Sequence, residues 1–199
     1  MRRGWLGLAG RLKIELSEED LRTRAFGRRT PDVLADLFHL PQAQIDRMMA
    51  EAVDDKTAEV AAGSPIVEVP GAVDFVRGTV AAGLRSALVS SASAVNVALA
   101  LDALDLADSF ELVIDAGRVP RGKPAPDPYL LAATLLGISP GGMIVFEDSV
   151  AGVASAHAAG AACVAIASWE TPEHLAAADL VIRGWPGWTP AAIVAALES

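Results

Sequence analysis

Apolar positions follow two regimes along the chain. Up to residue 63 they recur at helical spacing, and beyond residue 70 short apolar runs alternate with helix-like stretches. Ser17-Glu18-Glu19-Asp20 has the form of a capping box with Asp in the fourth position, predicting a short helix that stops near Gly27. Thr30-Pro31-Asp32 is a cap with proline pre-set for the first helical position. Val33, Leu34, Leu37 and Phe38 then share one face. Pro41 opens another helix, with Ile45, Met48, Met49 and Val53 as its apolar stripe, running toward Gly63. Nothing before residue 64 reads as a strand. The expectation is a small helical bundle over 1–63, then a linker Ser64–Pro70.

After Pro70 the pattern alternates. Helices are predicted over Ala72–Ala82, Ala94–Leu106, Pro128–Leu136, Val150–Ala159, Pro172–Ala178 and Thr189–Leu197. Between them fall strands over Arg85–Ser90, Glu111–Asp115, Met143–Phe146, Ala161–Ala167 and Leu180–Arg183. Such alternation predicts an α/β fold, a mainly parallel sheet with helices on both faces. The domain boundaries expected are 1–67 and 68–199.

Composition narrows the function classes. The 199 residues are 52% hydrophobic and carry a formal net charge of −9, against the basic face that nucleic-acid binding demands. The charge is uneven: −1 over residues 1–60 and −8 over 61–199. The single Cys163 excludes an internal disulfide framework and a Cys-based zinc cluster. Trp5–Gly10 is too short for the apolar region of a secretory signal. Residues 149–169 are free of charge, but Gly160 divides them into a helix and a strand rather than a membrane span. The expectation is a cytoplasmic protein without nucleic-acid or membrane partners, a monomer or weak homodimer.

Ligands of open parallel sheets bind outside the carboxyl ends of the strands. Three segments there carry chemistry. Ser90-Ser91-Ala92-Ser93 leads into a helix and serves either as a phosphate site or as a plain N-cap. Glu147-Asp148-Ser149 sets two adjacent carboxylates after a strand. They would hold a divalent cation, or simply complement a helix N-terminus. Lys123 sits in Gly122-Lys123-Pro124-Ala125-Pro126-Asp127-Pro128, where three prolines stiffen the loop. It is a fixed cation for a phosphate or carboxylate pair, or a solvated loop lysine. His39, His157 and His174 have no metal spacing. Cys163 reads as core, and Trp5, Trp185 and Trp188 as packing.

Taken in order, Leu88-Val89-Ser90-Ser91, Gly122-Lys123-Pro124-Ala125-Pro126-Asp127 and Phe146-Glu147-Asp148-Ser149-Val150-Ala151-Gly152-Val153 resemble three motifs of the haloacid dehalogenase superfamily. The similarity is to its β-phosphoglucomutase-like phosphatases. Ala158-Ala159-Gly160-Ala161 also fits, and residues 1–63 resemble the family's helical cap, with Gly27-Arg28-Arg29 matching its substrate-recognition loop. The resemblance implies Mg²⁺-dependent phosphoryl transfer through an aspartyl-phosphate. It implies Asp148 and Glu147 as Mg²⁺ ligands, direct or through water. Ser90 and the Ser91 N–H would bind the phosphoryl group, and Lys123 would bridge phosphate and nucleophile. Arg28 and Arg29, with Arg22 and Arg24, would suit an anionic small metabolite, sugar phosphates being the family's commonest assignment.

The family's first motif, Asp-x-Asp-Gly-x-x-x-Asp, has no counterpart in these 199 residues. The expectation is that the nucleophile, the general acid and a central strand between those ending at Ser90 and Asp148 are missing from this sequence. Three readings are then open: a truncated or mis-started active enzyme, an inactive phosphate-ligand-binding or regulatory protein, and an interaction protein completed by a partner's strand.

Overall fold

A computed structural model describes residues 2–61 and 66–199, excepting the side chains of Arg3 and of residues 52–61. The stretch before Ala72 is helical: α1 (Arg2–Leu12), α2 (Glu18–Asp20), α3 (Thr30–Asp36) and α4 (Gln42–Ala61). The Ser17 capping box forms, with Ser17 and Asp20 bonding reciprocally. The helix it starts widens at once into a π turn over Leu21–Ala25, where the Phe26 N–H donates to Leu21 O at 2.9 Å. The widening brings Leu21 and Ala25 into the interior, fully buried beside Val33, Leu34 and Ile45. Trp5 stacks on Phe38, with centroids 5.7 Å apart. Of the predicted linker Ser64–Pro70, residues 66–69 have no regular structure, whereas Ser64 and Pro65, and the predicted helix stop Gly63, lie outside the described residues.

The remainder alternates as α/β: α5 (Ala72–Ala81), β1 (Ala87–Val89), α6 (Ala94–Ala103), β2 (Leu112–Ile114), α7 (Asp127–Leu136), β3 (Ile144–Glu147), α8 (Val150–Ala159), β4 (Ala162–Ile166), β5 (Leu180–Ile182) and α9 (Pro190–Leu197). Two differences from the sequence reading stand out. The helix predicted over Pro172–Ala178 is only a 3₁₀ turn, Pro172–Leu175. The strands pair in parallel throughout but fall into two sheets, β1–β2 and β3–β4–β5.

Period-two alternation explains the larger sheet's two faces. Val145, Cys163 and Ala165 pack with Val153 and Ala156 of α8 and with Tyr129 of α7. Val164, Ile166 and Ile182 point the other way, toward Phe75 of α5 and Ile193 of α9. The charge-free run 149–169 is thus α8 followed by β4. No helix among the described residues is long and apolar enough to cross a membrane.

Candidate functional site

β1 and β3 both end at one cavity of about 340 Å³. Its lining includes Ser90 and Ser91 just past β1, Lys123 from the proline-rich loop, Glu147 and Asp148 at the end of β3, and Gly27 from the helical layer. The three sequence segments singled out for chemistry therefore meet in space.

Lys123 bridges the ends of β1 and β3 and is 6% exposed. Its Nζ donates to Val89 O at 3.2 Å and pairs with Glu147 Oε1, and it lies 5.2 Å above the Tyr129 ring. An ammonium has about three N–H donors. Two are engaged here, which leaves one for a ligand in the cavity. The Ser90 N–H extends the β1–β2 pairing by donating to Ile114 O at 2.8 Å. Ser90 Oγ accepts from the Ala92 N–H at 3.1 Å, and its own O–H remains free to donate. Ser91 Oγ is spent on Gly27 O, at 2.7 Å.

The two adjacent acids have separate fates. Glu147 is buried, and its Oε1 accepts from both Lys123 and the Tyr129 hydroxyl. Its other oxygen lies against α8, where a Cβ on Gly152 would come within 1.9 Å of Oε2. That carboxylate is sequestered, so its contribution to a cation is charge or a water-mediated contact. Asp148 stays accessible at the cavity mouth, with Oδ2 accepting from Trp169 Nε1 at 2.9 Å. Surrounding protein desolvates it and raises its carboxyl above the ordinary range, with the Trp169 hydrogen bond opposing the shift. Mg²⁺ takes one or two carboxylates and keeps several waters, and an open Asp148 backed by a second negative charge fits that donor set. Tyr129 is held protonated well above its usual value, first by burial and then by the Glu147 charge.

Arg28 and Arg29 do not line the cavity. Arg28 pairs with Asp36 and donates to Arg24 O at 3.0 Å. Arg29 uses all five guanidinium N–H donors on protein. Nε and Nη2 fork onto Asp32 at 2.7 and 2.9 Å. Nη1 reaches Ala116 O and Val119 O at 3.2 and 2.9 Å, and Nη2 also reaches Pro120 O at 3.1 Å. The substrate role expected for Arg29 is therefore corrected: with no donor left, it is a strut from the helical layer to the α/β layer. The loop still touches the site through Gly27. At φ +76 this residue presses on Ser149, whose Oγ would lie 2.0 Å from a Cβ there.

Sequence reasoning missed two residues. Tyr129 is the chain's one tyrosine and sits a turn into the helix after the Lys123 loop, and a buried tyrosine there needs a partner for its hydroxyl. Trp169 lies three residues past β4, at the carboxyl end where ligand sites form. His157 and His174 pair with Asp179 and Glu170 away from the cavity, at 3.0 and 2.7 Å.

Comparison with known proteins agrees with the motif reading. A family model described as haloacid dehalogenase-like hydrolase matches residues 6–160. The chain is 29% identical over 196 residues to validoxylamine A 7'-phosphate phosphatase of Streptomyces hygroscopicus subsp. limoneus, a match covering 93% of this chain and 88% of that protein. It is 39% identical over 118 residues to hexitol phosphatase A of Escherichia coli (strain K12), covering 59% of this chain and 54% of the relative. Among solved structures, β-phosphoglucomutase from Clostridium difficile superposes with a TM-score of 0.80 at 20% identity. That match covers 99% of this chain and 89% of the other.

Proposed function

Because the chain belongs to the haloacid dehalogenase-like hydrolases, we propose that it carries the phosphate- and Mg²⁺-binding part of a phosphoryl-transfer enzyme acting on a small phosphorylated metabolite, a sugar phosphate being the substrate class. The observation that carries this reading is the convergence of Ser90, Lys123, Glu147 and Asp148 on one cavity at the carboxyl ends of β1 and β3. Residues 68–199 act as the catalytic core and residues 1–67 as a helical cap and hinge. The relatives named as phosphatases of validoxylamine A 7'-phosphate and of hexitol support the substrate class.

In this reading the Ser90 hydroxyl and the third N–H of Lys123 take phosphoryl oxygens, and Lys123 offsets their charge. Asp148 would hold the cation, and Glu147 fixes the Lys123 ammonium in place. Mg²⁺, when bound, supplies electrostatic stabilisation of charge on the transferring phosphoryl group. The Gly27 loop covers the mouth and limits water. These 199 residues hold no Asp-x-Asp pair to supply the attacking carboxylate, and a strand carrying one would bring it to the cavity where β1 and β3 end. A second reading, a phosphate-ligand-binding or regulatory protein, is favoured by one fact: no Asp-x-Asp pair occurs in the sequence.

One assay separates them. An aryl phosphate and a panel of sugar phosphates are offered, with and without Mg²⁺, to the 199-residue chain and to a form extended by an Asp-x-Asp-Gly strand. The expected result is negligible turnover by the first and Mg²⁺-dependent turnover by the second, abolished by Asp148→Ala. Turnover by the 199-residue form that Asp148→Ala removes would place a nucleophile elsewhere and refute the reading. Inactivity of both, with phosphate still bound, would establish the binding-protein alternative.

A further inference from the structure

Trp169 makes two directional contacts that join different layers of the molecule. Its indole N–H donates to Asp148 Oδ2 at 2.9 Å. Its ring meets Phe26 edge-on, with centroids 4.6 Å apart and planes at 90°. Phe26 closes the π turn of the helical layer and is itself buried, and the next residue, Gly27, is pinned on Ser91 and Ser149. Trp169 is 46% exposed, an unusual setting for so large an apolar ring. Burial explains little of its presence, whereas both contacts point at the site.

Resting on the reading of Asp148 as the cation-binding carboxylate, we propose that Trp169 is a positioning residue that orients Asp148 and makes that orientation depend on the docked cap. Asp148 lies beyond the last pairing of β3, exposed, with a carboxylate that would otherwise turn freely. The indole N–H anchors one oxygen and leaves the other for a cation. The indole in turn is held by Phe26. When the cap loop lifts, the ring loses its edge contact, the anchor loosens and the carboxylate is free to rotate. Cation affinity and cap closure are thereby linked, and each favours the other by the same factor.

Tb³⁺ is a suitable probe on the 199-residue chain, because an adjacent indole sensitises its emission. Calorimetry gives the affinity, and the part of the emission per bound ion that Trp169→Phe removes gives the placement of that ring, since Trp185 also lines the cavity. Asp148→Asn, Trp169→Phe, Trp169→His and Phe26→Leu are compared, each checked for a wild-type thermal midpoint. Trp169→Phe keeps a ring against Phe26 but removes the donor, and its expected effect is about tenfold weaker binding, the lower end for an outer-sphere partner because the indole is half exposed. Trp169→His restores an N–H donor and is expected to recover most of that loss, which a merely structural role would not predict. Phe26→Leu keeps the indole and is expected to weaken binding in the same direction, with dimmer emission per ion.

If Asp148→Asn loses Tb³⁺ while Trp169→Phe binds as wild type does, the inference falls and the metal reading stands. If Asp148→Asn binds as wild type does, or wild type binds no Tb³⁺ by calorimetry, the metal reading falls and takes the inference with it; if wild type binds Tb³⁺ through Asp148 without sensitised emission, the inference alone falls. If Phe26→Leu matches wild type while Trp169→Phe is weakened, the link to the cap is overturned.

Discussion

Arg29→Ala offers the most direct test of how the helical layer is fastened to the α/β layer. The substitution removes three hydrogen bonds from a charged donor to backbone carbonyls, those of Ala116, Val119 and Pro120. Val119 is buried, so its carbonyl loses the most, about 1.5–3 kcal/mol for a bond to a charged group. The carbonyls of Ala116 and Pro120 lie near the surface and rehydrate, about 0.5 kcal/mol each. The fork onto Asp32 pairs the extended residue before α3 with its first turn and is worth about 0.5 kcal/mol. Together the loss is about 3–4.5 kcal/mol. Urea unfolding gives the global value, and amide exchange at residues 116–120 shows whether the loss is local. Gly122 supplies an internal control. A Cβ there would come within 2.6 Å of Arg29 Nε, displacing the guanidinium. Gly122→Ala should therefore cost about 1 kcal/mol in wild type and close to nothing in Arg29→Ala, a coupled cycle. An Arg29→Ala variant within about 0.5 kcal/mol of wild type, or a Gly122→Ala cost equal in both backgrounds, would refute the strut.

Two further outcomes test the interior. Lys123→Met leaves the Glu147 carboxylate buried without a counter-charge, with only the neutral hydroxyls of Tyr129 and, at 3.5 Å, Ser149 as donors, and should destabilise by about 3–5 kcal/mol in urea unfolding. Adding Glu147→Gln should recover part of this, and a loss below about 1 kcal/mol would mean the pair is solvated. Burial pushes the Cys163 thiol from 9.0 up to about 12, so it should resist an aromatic disulfide reagent at pH 8 until the chain unfolds. Because the folded value is raised, the thiol's contribution is complete below pH 9.0 and drains away toward about pH 12. The melting-temperature gap between wild type and Cys163→Ala should narrow over that range, and a constant gap would contradict it.

Much of the architecture was legible because periodicity and punctuation are local. Ser17, Pro31 and Gly160 mark element ends by chemistry that acts within a turn, and the parallel order followed from alternation. The Pro172–Ala178 segment failed because Pro172 fits a 3₁₀ start as well as an α start, and only tertiary packing around Leu175 chooses. The site was legible as three segments past strand ends, not as a network. Arg28 and Arg29 look like free anion ligands in sequence, since nothing local shows that carbonyls of residues 116, 119 and 120 are waiting for Arg29. Glu147 and Asp148 look equivalent as neighbours, yet strand pleating turns one inward to Lys123 and leaves the other at the mouth. Tyr129 and Trp169 act across long sequence separations, which spacing cannot encode.

The close approach of Gly152 to the Glu147 carboxylate has a consequence for how such chains diverge. Any side chain at position 152 would occupy the volume that Oε2 fills, so substitution there is possible only if residue 147 becomes shorter or swings to another rotamer. A displaced carboxylate would strand the Lys123 ammonium, which must then find another counter-charge or be replaced as well. Positions 123, 147 and 152 are therefore bound to drift as a set. Among descendants of this sequence, a residue larger than glycine at 152 should be accompanied by change at one or both of the others.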